Sequence, residues 1–208
     1  MSSLTKEGVV AGKKASRRRA LAMRDVLSAD ARDRKSQAIT ERLLALPAFV
    51  AADTVAAYAS FGTEFNTEAF LAAVLARGKR LVLPRVTSEL HELAFHFVTD
   101  LDRSLLPGTW GIREPDPAQC AVANADQIDF MLVPGVAFTA QCERLGYGGG
   151  FYDAAINRSR ADAAKVAAAF AVQIVDEIPL EPHDQRVDLV VTEDAVYVSD
   201  QRPVRSGR

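Results

Sequence analysis

Residues 53–84 read DTVAAYASFGTEFNTEAFLAAVLARGKRLVLP, and two apolar runs in this stretch enclose one helical pattern. Asp53 to Ala59 (DTVAAYA) is short and apolar throughout, which suits a strand buried on both faces better than an alternating one. Asn66-Thr67-Glu68 then supplies a cap and an acidic first turn. Phe70, Leu71, Val74 and Leu75 recur at helical spacing up to Gly78, a helix stop. Lys79 to Pro84 (KRLVLP) is the next strand. Strand, helix, strand in this order is the unit of a parallel sheet with a right-handed crossover.

The same grammar extends in both directions. Upstream, a helix is expected from about Ala15 to Leu27. Ser28-Ala29-Asp30 opens a second, with Ile39, Leu43, Leu44 and Leu46 on one side, which stops at Pro47. Downstream, Leu93 to Val98 (LAFHFV) alternates like a more exposed strand. Ile128 to Val133 (IDFMLV), Val166 to Ala171 (VAAAFA) and Val187 to Thr192 (VDLVVT) read as further buried strands. The connection from Leu101 to Asp126 is long, proline-containing and carries Trp110, the profile of a binding element. The expected architecture is one domain over residues 13–198, a three-layer α/β/α sandwich of Rossmann-like type with a mainly parallel sheet. Residues 1–12 and 199–208 are expected to be loose ends.

Composition narrows the function without naming it. Of 208 residues, 49% are hydrophobic and 25% charged, an ordinary globular balance. A net charge of -2 supplies no overall basic field for nucleic acid. Cys120 and Cys142 form no CxxC pair, no apolar run approaches a membrane span, and the first residues lack the core of a signal peptide, so a cytoplasmic location is expected. One local excess stands out: Lys13, Lys14, Arg17, Arg18, Arg19 and Arg24 crowd the first helix. They make either an anion-binding arm or a solvated face.

The chemistry concentrates in residues 133–153, VPGVAFTAQCERLGYGGGFYD. A buried strand ends at Val133-Pro134-Gly135, and Gly146, Gly148, Gly149 and Gly150 crowd together just before a helix. Glycines bring backbone N–H groups close to a ligand, and a helix N-terminus adds partial positive charge, so phosphate is the natural occupant. The spacing matches neither GxGxxG nor GxxxxGK[ST], and as a generic glycine turn the signal stays weak.

Read in full, Arg144 to Asp153 (RLGYGGGFYD) resembles the RLGxGxGYYD signature of the 5-formyltetrahydrofolate cyclo-ligase family, together with the preceding VPGxAF. The resemblance runs from Lys13 to about Glu193. Lys13 to Arg17 (KKASR), with Arg24 and Leu27-Ser28, is similar to the family's K-x-x-L-R and R-x-x-L-S opening. Tyr58 to Thr67 (YASFGTEFNT), Gly108 to Pro115 (GTWGIREP) and Pro182 to Glu193 (PHDQRVDLVVTE) resemble its later segments. Ser16, Phe151 and Ala154 depart from the usual leucine, tyrosine and arginine, and none of these removes a required charge.

The resemblance implies an enzyme that uses ATP and Mg²⁺ to close 5-formyltetrahydrofolate into 5,10-methenyltetrahydrofolate. It implies ATP contacts at Lys13, Lys14, Ala15, Ser16 and Arg17, and at Arg144, Leu145, Gly146, Tyr147, Gly148, Gly149, Gly150, Phe151 and Tyr152. Folate contacts fall on Ala59, Phe61, Glu64, Trp110, Tyr147, Gly148, Gly149, Gly150 and Phe151. Asp153 and Asp188 are the implied Mg²⁺ ligands, and Lys13, Arg17 and Arg144 the groups that neutralise developing charge. Lys13 and Arg17, four apart on a helix, can face one triphosphate. The plain readings remain: Asp188 as a strand-start cap, Trp110 as a loop anchor, His96 in the core and His183 ordering the last loop. The expected partners are the two small molecules, with no nucleic acid or membrane, and a monomer. A phosphosugar or nucleotide isomerase on a similar sandwich, or a catalytically silent folate- or RNA-binding regulator using the basic arm, are the alternatives.

Overall fold

The computed structural model describes residues 6–87 and 92–200, with all their side chains except those of Lys6, Glu7 and Trp110. Among the described residues five α-helices form: α1 (Lys6–Asp25), α2 (Ala29–Ala45), α3 (Pro47–Ala51), α4 (Glu68–Ala76) and α5 (Phe151–Arg158). The strands in chain order are β1 (Thr54–Ala56), β2 (Arg80–Thr87), β3 (Glu92–Val98), β4 (Leu105–Pro107), β5 (Arg113–Pro115), β6 (Val122–Ala123), β7 (Phe130–Val133), β8 (Ala137–Phe138), β9 (Arg144–Leu145), β10 (Ala164–Ala168), β11 (Leu189–Val191) and β12 (Val196–Val198).

Eight strands make one sheet in the order β12-β11-β10-β7-β1-β2-β3-β6. Its centre, β11 to β2, is parallel, and antiparallel strands cover both edges. The three-layer sandwich with a mainly parallel sheet is therefore present. Side chains alternate across it: Val55, Leu81, Leu83, Phe130, Leu132 and Val166 face Ile39 and Leu43 of α2, Phe49 of α3 and Phe70 of α4. Ala56, Val82, Met131, Val133 and Ala167 face the opposite way, toward Ala155 and Ile156 of α5. Both faces are apolar, so the strands read as continuous hydrophobic runs.

β1 leads through α4 to β2 on one side, while β7 leads through α5 to β10 on the other. The connections thus part between the adjacent parallel strands β1 and β7. A crevice at the carboxyl ends of two such strands is where open α/β sheets bind ligands.

Two local results differ from expectation. β1 covers Thr54–Ala56 alone, because the chain leaves the sheet after Ala57 N–H donates to Val82 O at 3.0 Å and enters the loop that carries Glu64. α1 begins at Lys6, upstream of Ala15, and packs outside the main sheet. Ala20 and Leu21 lie against Val136, Ala137, Leu145 and Ile178, beside the small hairpin of β8 and β9. Residues 6–12, expected to be loose, are thus the start of a helix, and residues 1–5 and 201–208 lie outside the described ones. Among the described residues no helix is long and apolar enough to cross a membrane.

Candidate active site at the strand crossover

The crevice is built from four segments that follow or approach the ends of β1 and β7. The first is the loop after β1. Ser60 and Thr67 exchange two hydrogen bonds, Ser60 N–H to Thr67 Oγ1 at 3.0 Å and Thr67 N–H to Ser60 Oγ at 3.1 Å, which close the loop. Phe61 N–H donates to Glu64 Oε2 at 3.1 Å and fixes that carboxylate inside the loop, only 8% exposed. Asn66 Oδ1, rather than the Thr67 side chain, accepts Glu68 N–H and caps α4.

The second segment is the glycine turn between β9 and α5. Gly148 has φ +106° and Gly150 φ +70°, conformations closed to most side chains, and Gly150 is the N-cap of α5. Arg144, 5% exposed, braces the turn from within. Its Nη1 donates to Pro134 O at 3.1 Å and its Nη2 to Asp153 Oδ1 at 2.6 Å. The same Asp153 oxygen accepts Gln185 N–H at 3.0 Å, which ties the C-terminal loop to the start of α5. Arg144 therefore reaches the Asp153 carboxylate and the strand end and braces the turn.

The third segment is α1, which points one stripe of side chains at the crevice. Lys13, Arg17, Ala20 and Arg24 follow helical spacing, and Lys13, Ala20 and Arg24 are buried. Arg17 Nε donates to Gly146 O at 2.8 Å, and its guanidinium lies beside Gly148, where an added Cβ would sit 3.4 Å from Arg17 Cζ. The cationic helix and the glycine turn thus meet at Arg17. Lys14 and Ala15 face solvent on the opposite side, and Ser16 is half-buried, so the structure does not bring these three side chains to the turn.

The fourth segment is the loop at 181–188. Lys13 Nζ bridges Glu181 Oε2 at 2.8 Å and Asp184 Oδ2 at 2.6 Å. Burial works against the lysine charge, yet bonds from both carboxylates outweigh it and raise its pKa above 10.5. Lys13 in turn holds the Glu181 carboxyl below its ordinary value. Glu181, His183 and Asp184 offer ligand atoms within 4.8 Å of one another, a cation-binding geometry whose cation here is Lys13.

Arg24, read from the sequence as part of a basic crowd and of the R-x-x-L-S resemblance, links the loop after β1 to the turn. Its Nε donates to Thr63 Oγ1 at 3.0 Å and its Nη1 to Tyr147 OH at 2.9 Å, while Tyr147 OH donates to Glu64 Oε1 at 2.5 Å. The spacing 13, 17, 20, 24 is the signal that could have marked it. Burial raises the Glu64 pKa more than the Tyr147 hydroxyl, the Phe61 amide and Arg24 lower it. Burial, with the Glu64 charge nearby, also pushes the phenols of Tyr58, Tyr147 and Tyr152 up, so all three remain protonated donors at neutral pH. Tyr152 OH is buried and has no partner among the described residues.

The remaining expected residues sort as follows. Leu145 is buried in β9, Phe151 and Tyr152 pack against the α5 side of the core, and Ala59 is half-buried at the loop entrance. Phe61 stacks at a tilt on Tyr147, 5.5 Å between ring centroids. The Trp110 side chain lies outside the described ones. Asp188 sits at the start of β11, where its Oδ2 accepts Lys165 N–H at 2.7 Å. Lys165 pairs with Met131 in register, so Asp188 lies toward the amino side of the strand end at which Arg144 anchors Asp153. Asp188 and Asp184 line one open cleft of about 280 Å³ with Gln185, Arg186, Val187 and Ser199. His96 Nδ1 lies 2.9 Å from Cys120 O in the core, and the His183 side chain is exposed beside Glu181 and Asp184.

For Mg²⁺ the donor chemistry fits. Arg144 and Gln185 both engage Oδ1 of Asp153, which leaves Oδ2 as a hard ligand atom beside the glycine turn. Asp188, with Oδ2 on Lys165 N–H, lines the open cleft near the loop that Asp153 ties through Gln185.

Known proteins resemble this chain over most of its length. The 5-formyltetrahydrofolate cyclo-ligase family matches residues 9–193. A 5-formyltetrahydrofolate cyclo-ligase of Mycolicibacterium smegmatis is 33% identical over 141 residues, covering 67% of this chain and 73% of that protein. The one of Escherichia coli is 30% identical over 179 residues, covering 84% and 96%. Among solved structures, the 5,10-methenyltetrahydrofolate synthetase of Aquifex aeolicus superposes with a TM-score of 0.79 at 33% identity, covering 94% of each chain. That of Mycoplasma pneumoniae gives 0.71 at 25% identity, covering 87% and 98%. With the match spanning β1 to β11 and every segment of the crevice, this chain is an enzyme of the 5-formyltetrahydrofolate cyclo-ligase family.

Proposed function

We propose that the chain converts 5-formyltetrahydrofolate and ATP into 5,10-methenyltetrahydrofolate, ADP and phosphate, with Mg²⁺ required. The observation that carries this reading is that one turn, Gly146 to Gly150, touches Arg17 on one side and, through Tyr147, Glu64 on the other. A triphosphate suits the first contact and the polar edge of a pterin the second.

The chemistry needs two steps. The formyl oxygen attacks the γ-phosphorus and ADP leaves, giving a phosphorylated iminium. Nitrogen 10 then bonds to the activated carbon and loses its proton, and phosphate departs with the former formyl oxygen. An amide-type oxygen is a poor leaving group, and phosphorylation supplies the better one. The protein's share is alignment and charge neutralisation. Arg17 and backbone N–H groups of residues 146–150 face the phosphates, and Lys13 joins them by exchanging Glu181 and Asp184 for phosphate oxygens. Arg144 holds the turn in shape through Pro134 and Asp153. Asp153, with Asp188 from the cleft, would hold Mg²⁺, which when bound neutralises triphosphate charge. Glu64 accepts the N–H donors of the pterin, and Phe61 offers it a ring face. Both cysteines are free and buried, as in a reducing cytoplasm.

The direct test is absorbance of the methenyl product with purified protein, 5-formyltetrahydrofolate, ATP and Mg²⁺. Product should form with all three and fail to form when ATP or Mg²⁺ is omitted. Turnover that persists without ATP would favour an isomerase or another phosphate enzyme and sink the reading.

A further inference from the structure

Tyr147 stands between Gly146 and Gly148, at the first x of the RLGxGxGYYD pattern that residues 144–153 resemble. It is 41% exposed and its ring lies on Phe61, itself 40% exposed, whereas the carboxylate that its hydroxyl reaches is 8% exposed. The two rings therefore cover Glu64. Of the two Glu64 oxygens, Oε2 already serves Phe61 N–H and Oε1 serves Tyr147 OH at 2.5 Å. A pterin edge that donates a pair of N–H groups to one carboxylate reaches both oxygens and so competes with the Tyr147 hydroxyl for Oε1.

Tyr147 is also mechanically placed. Gly146 O accepts the Arg17 Nε bond at 2.8 Å, and Gly148, at φ +106°, packs against the Arg17 guanidinium. A glycine on each side lets the residue swing without strain from its own neighbours. Any swing large enough to free Glu64 moves the two peptide groups that position Arg17. Arg24 then keeps the hydroxyl from drifting, since its Nη1 donates to Tyr147 OH at 2.9 Å and its Nε is anchored on Thr63.

We propose that Tyr147 is a gate between the two substrates: its hydroxyl holds Glu64 until the pterin takes that carboxylate, and its release resets the 146–148 turn on Arg17, so folate and nucleotide bind cooperatively. The gate rests on the functional reading above, in that Glu64 faces the folate and Arg17 the nucleotide. By linkage the effect is reciprocal, each ligand tightening the other by the same factor.

The test is calorimetric titration of the wild type and of Tyr147→Phe with 5-formyltetrahydrofolate and with a non-hydrolysable ATP analogue plus Mg²⁺, each alone and with the other saturating. The wild type should show coupling of at least about five-fold, within the usual range for linked sites. Tyr147→Phe keeps the ring on Phe61 and loses the hydroxyl. It should bind folate about ten-fold more tightly, as expected when one charge-assisted bond no longer competes, with the coupling factor falling toward one. Folate affinity that is unchanged or weaker in the variant overturns the gate, as does coupling equal to that of the wild type. A wild type that binds the nucleotide analogue but no folate overturns the functional reading first, and the gate with it.

Discussion

Glu64 keeps a carboxylate where water barely reaches it, and that costs the folded protein stability which pH can reveal. Its pKa is raised on folding, chiefly by burial, against hydrogen bonds from Tyr147 and Phe61. Between the ordinary value of 4.5 and the raised one, the folded chain holds the proton that the unfolded chain has lost, so stability falls as pH rises through this window. Glu64→Gln removes the titration and some of the hydrogen bonding. The unfolding free energy of the wild type minus that of the variant should therefore decrease from pH 4.5 upward and level off above the folded pKa, as read by urea titration at each pH; a difference that stays flat or increases counts against a desolvated carboxylate. The sequence marked Glu64 through its loop motif, and the structure keeps it at the crevice. The phenol that holds it was not legible, since Tyr147 lies 83 residues away and its partner depends on tertiary approach. Lys13 carries the same lesson: its spacing to Arg17 put both on one helix face, but no local pattern announces Glu181 and Asp184 as its present partners.

α1 is the element on which the proposed phosphate contacts depend, and it is held by a small apolar patch. Ala20, 1% exposed, touches Val136, Ala137, Leu145 and Ile178, and Gly12 lets the helix pass close to Pro179, 3.0 Å from where a Cβ would be. Ala20→Leu adds volume at a packed contact and should cost about 1–3 kcal/mol. By tilting α1 it should also raise KM for ATP several-fold, although no charge is altered. Paired thermal unfolding and steady-state assays check this; a stability loss with ATP kinetics untouched would mean that α1 packing and phosphate contact are independent. The contrast with α4 explains what the sequence could tell. Phe70, Leu71 and Val74 repeat at helical spacing against a sheet, so both the helix and its flanking strands were readable. The first turns of α1 contain Gly8 and Gly12 and few apolar residues, so local preference argues against helix there, and contacts with the chain near residue 179 override it.

At the scale of the whole molecule, the site lies where the sheet's connections part, and four segments far apart in the chain meet there: residues 13–24, 58–64, 134–153 and 181–185. The parallel core was readable because each strand is an apolar run joined by a helix, whereas the antiparallel covering strands, β6 and β12, are too short to carry a pattern. The ties between segments are few and mostly polar, while β1, β7 and β10 are buried on both faces. Local opening should therefore begin with α1 and the 181–185 loop, well before the sheet opens. A ligand that binds only the assembled crevice suppresses such opening by mass action, by about 2.7 kcal/mol at 100 times its Kd, or roughly a hundred-fold in exchange rate. Hydrogen exchange with and without a non-hydrolysable ATP analogue and Mg²⁺ should accordingly slow amides in 13–24, 146–150 and 181–185 by up to that factor and leave the central strands unchanged. Slowing confined to the sheet, or spread evenly over the chain, would mean that the crevice opens only when the whole domain unfolds, and that Lys13 never leaves its carboxylates to meet a phosphate.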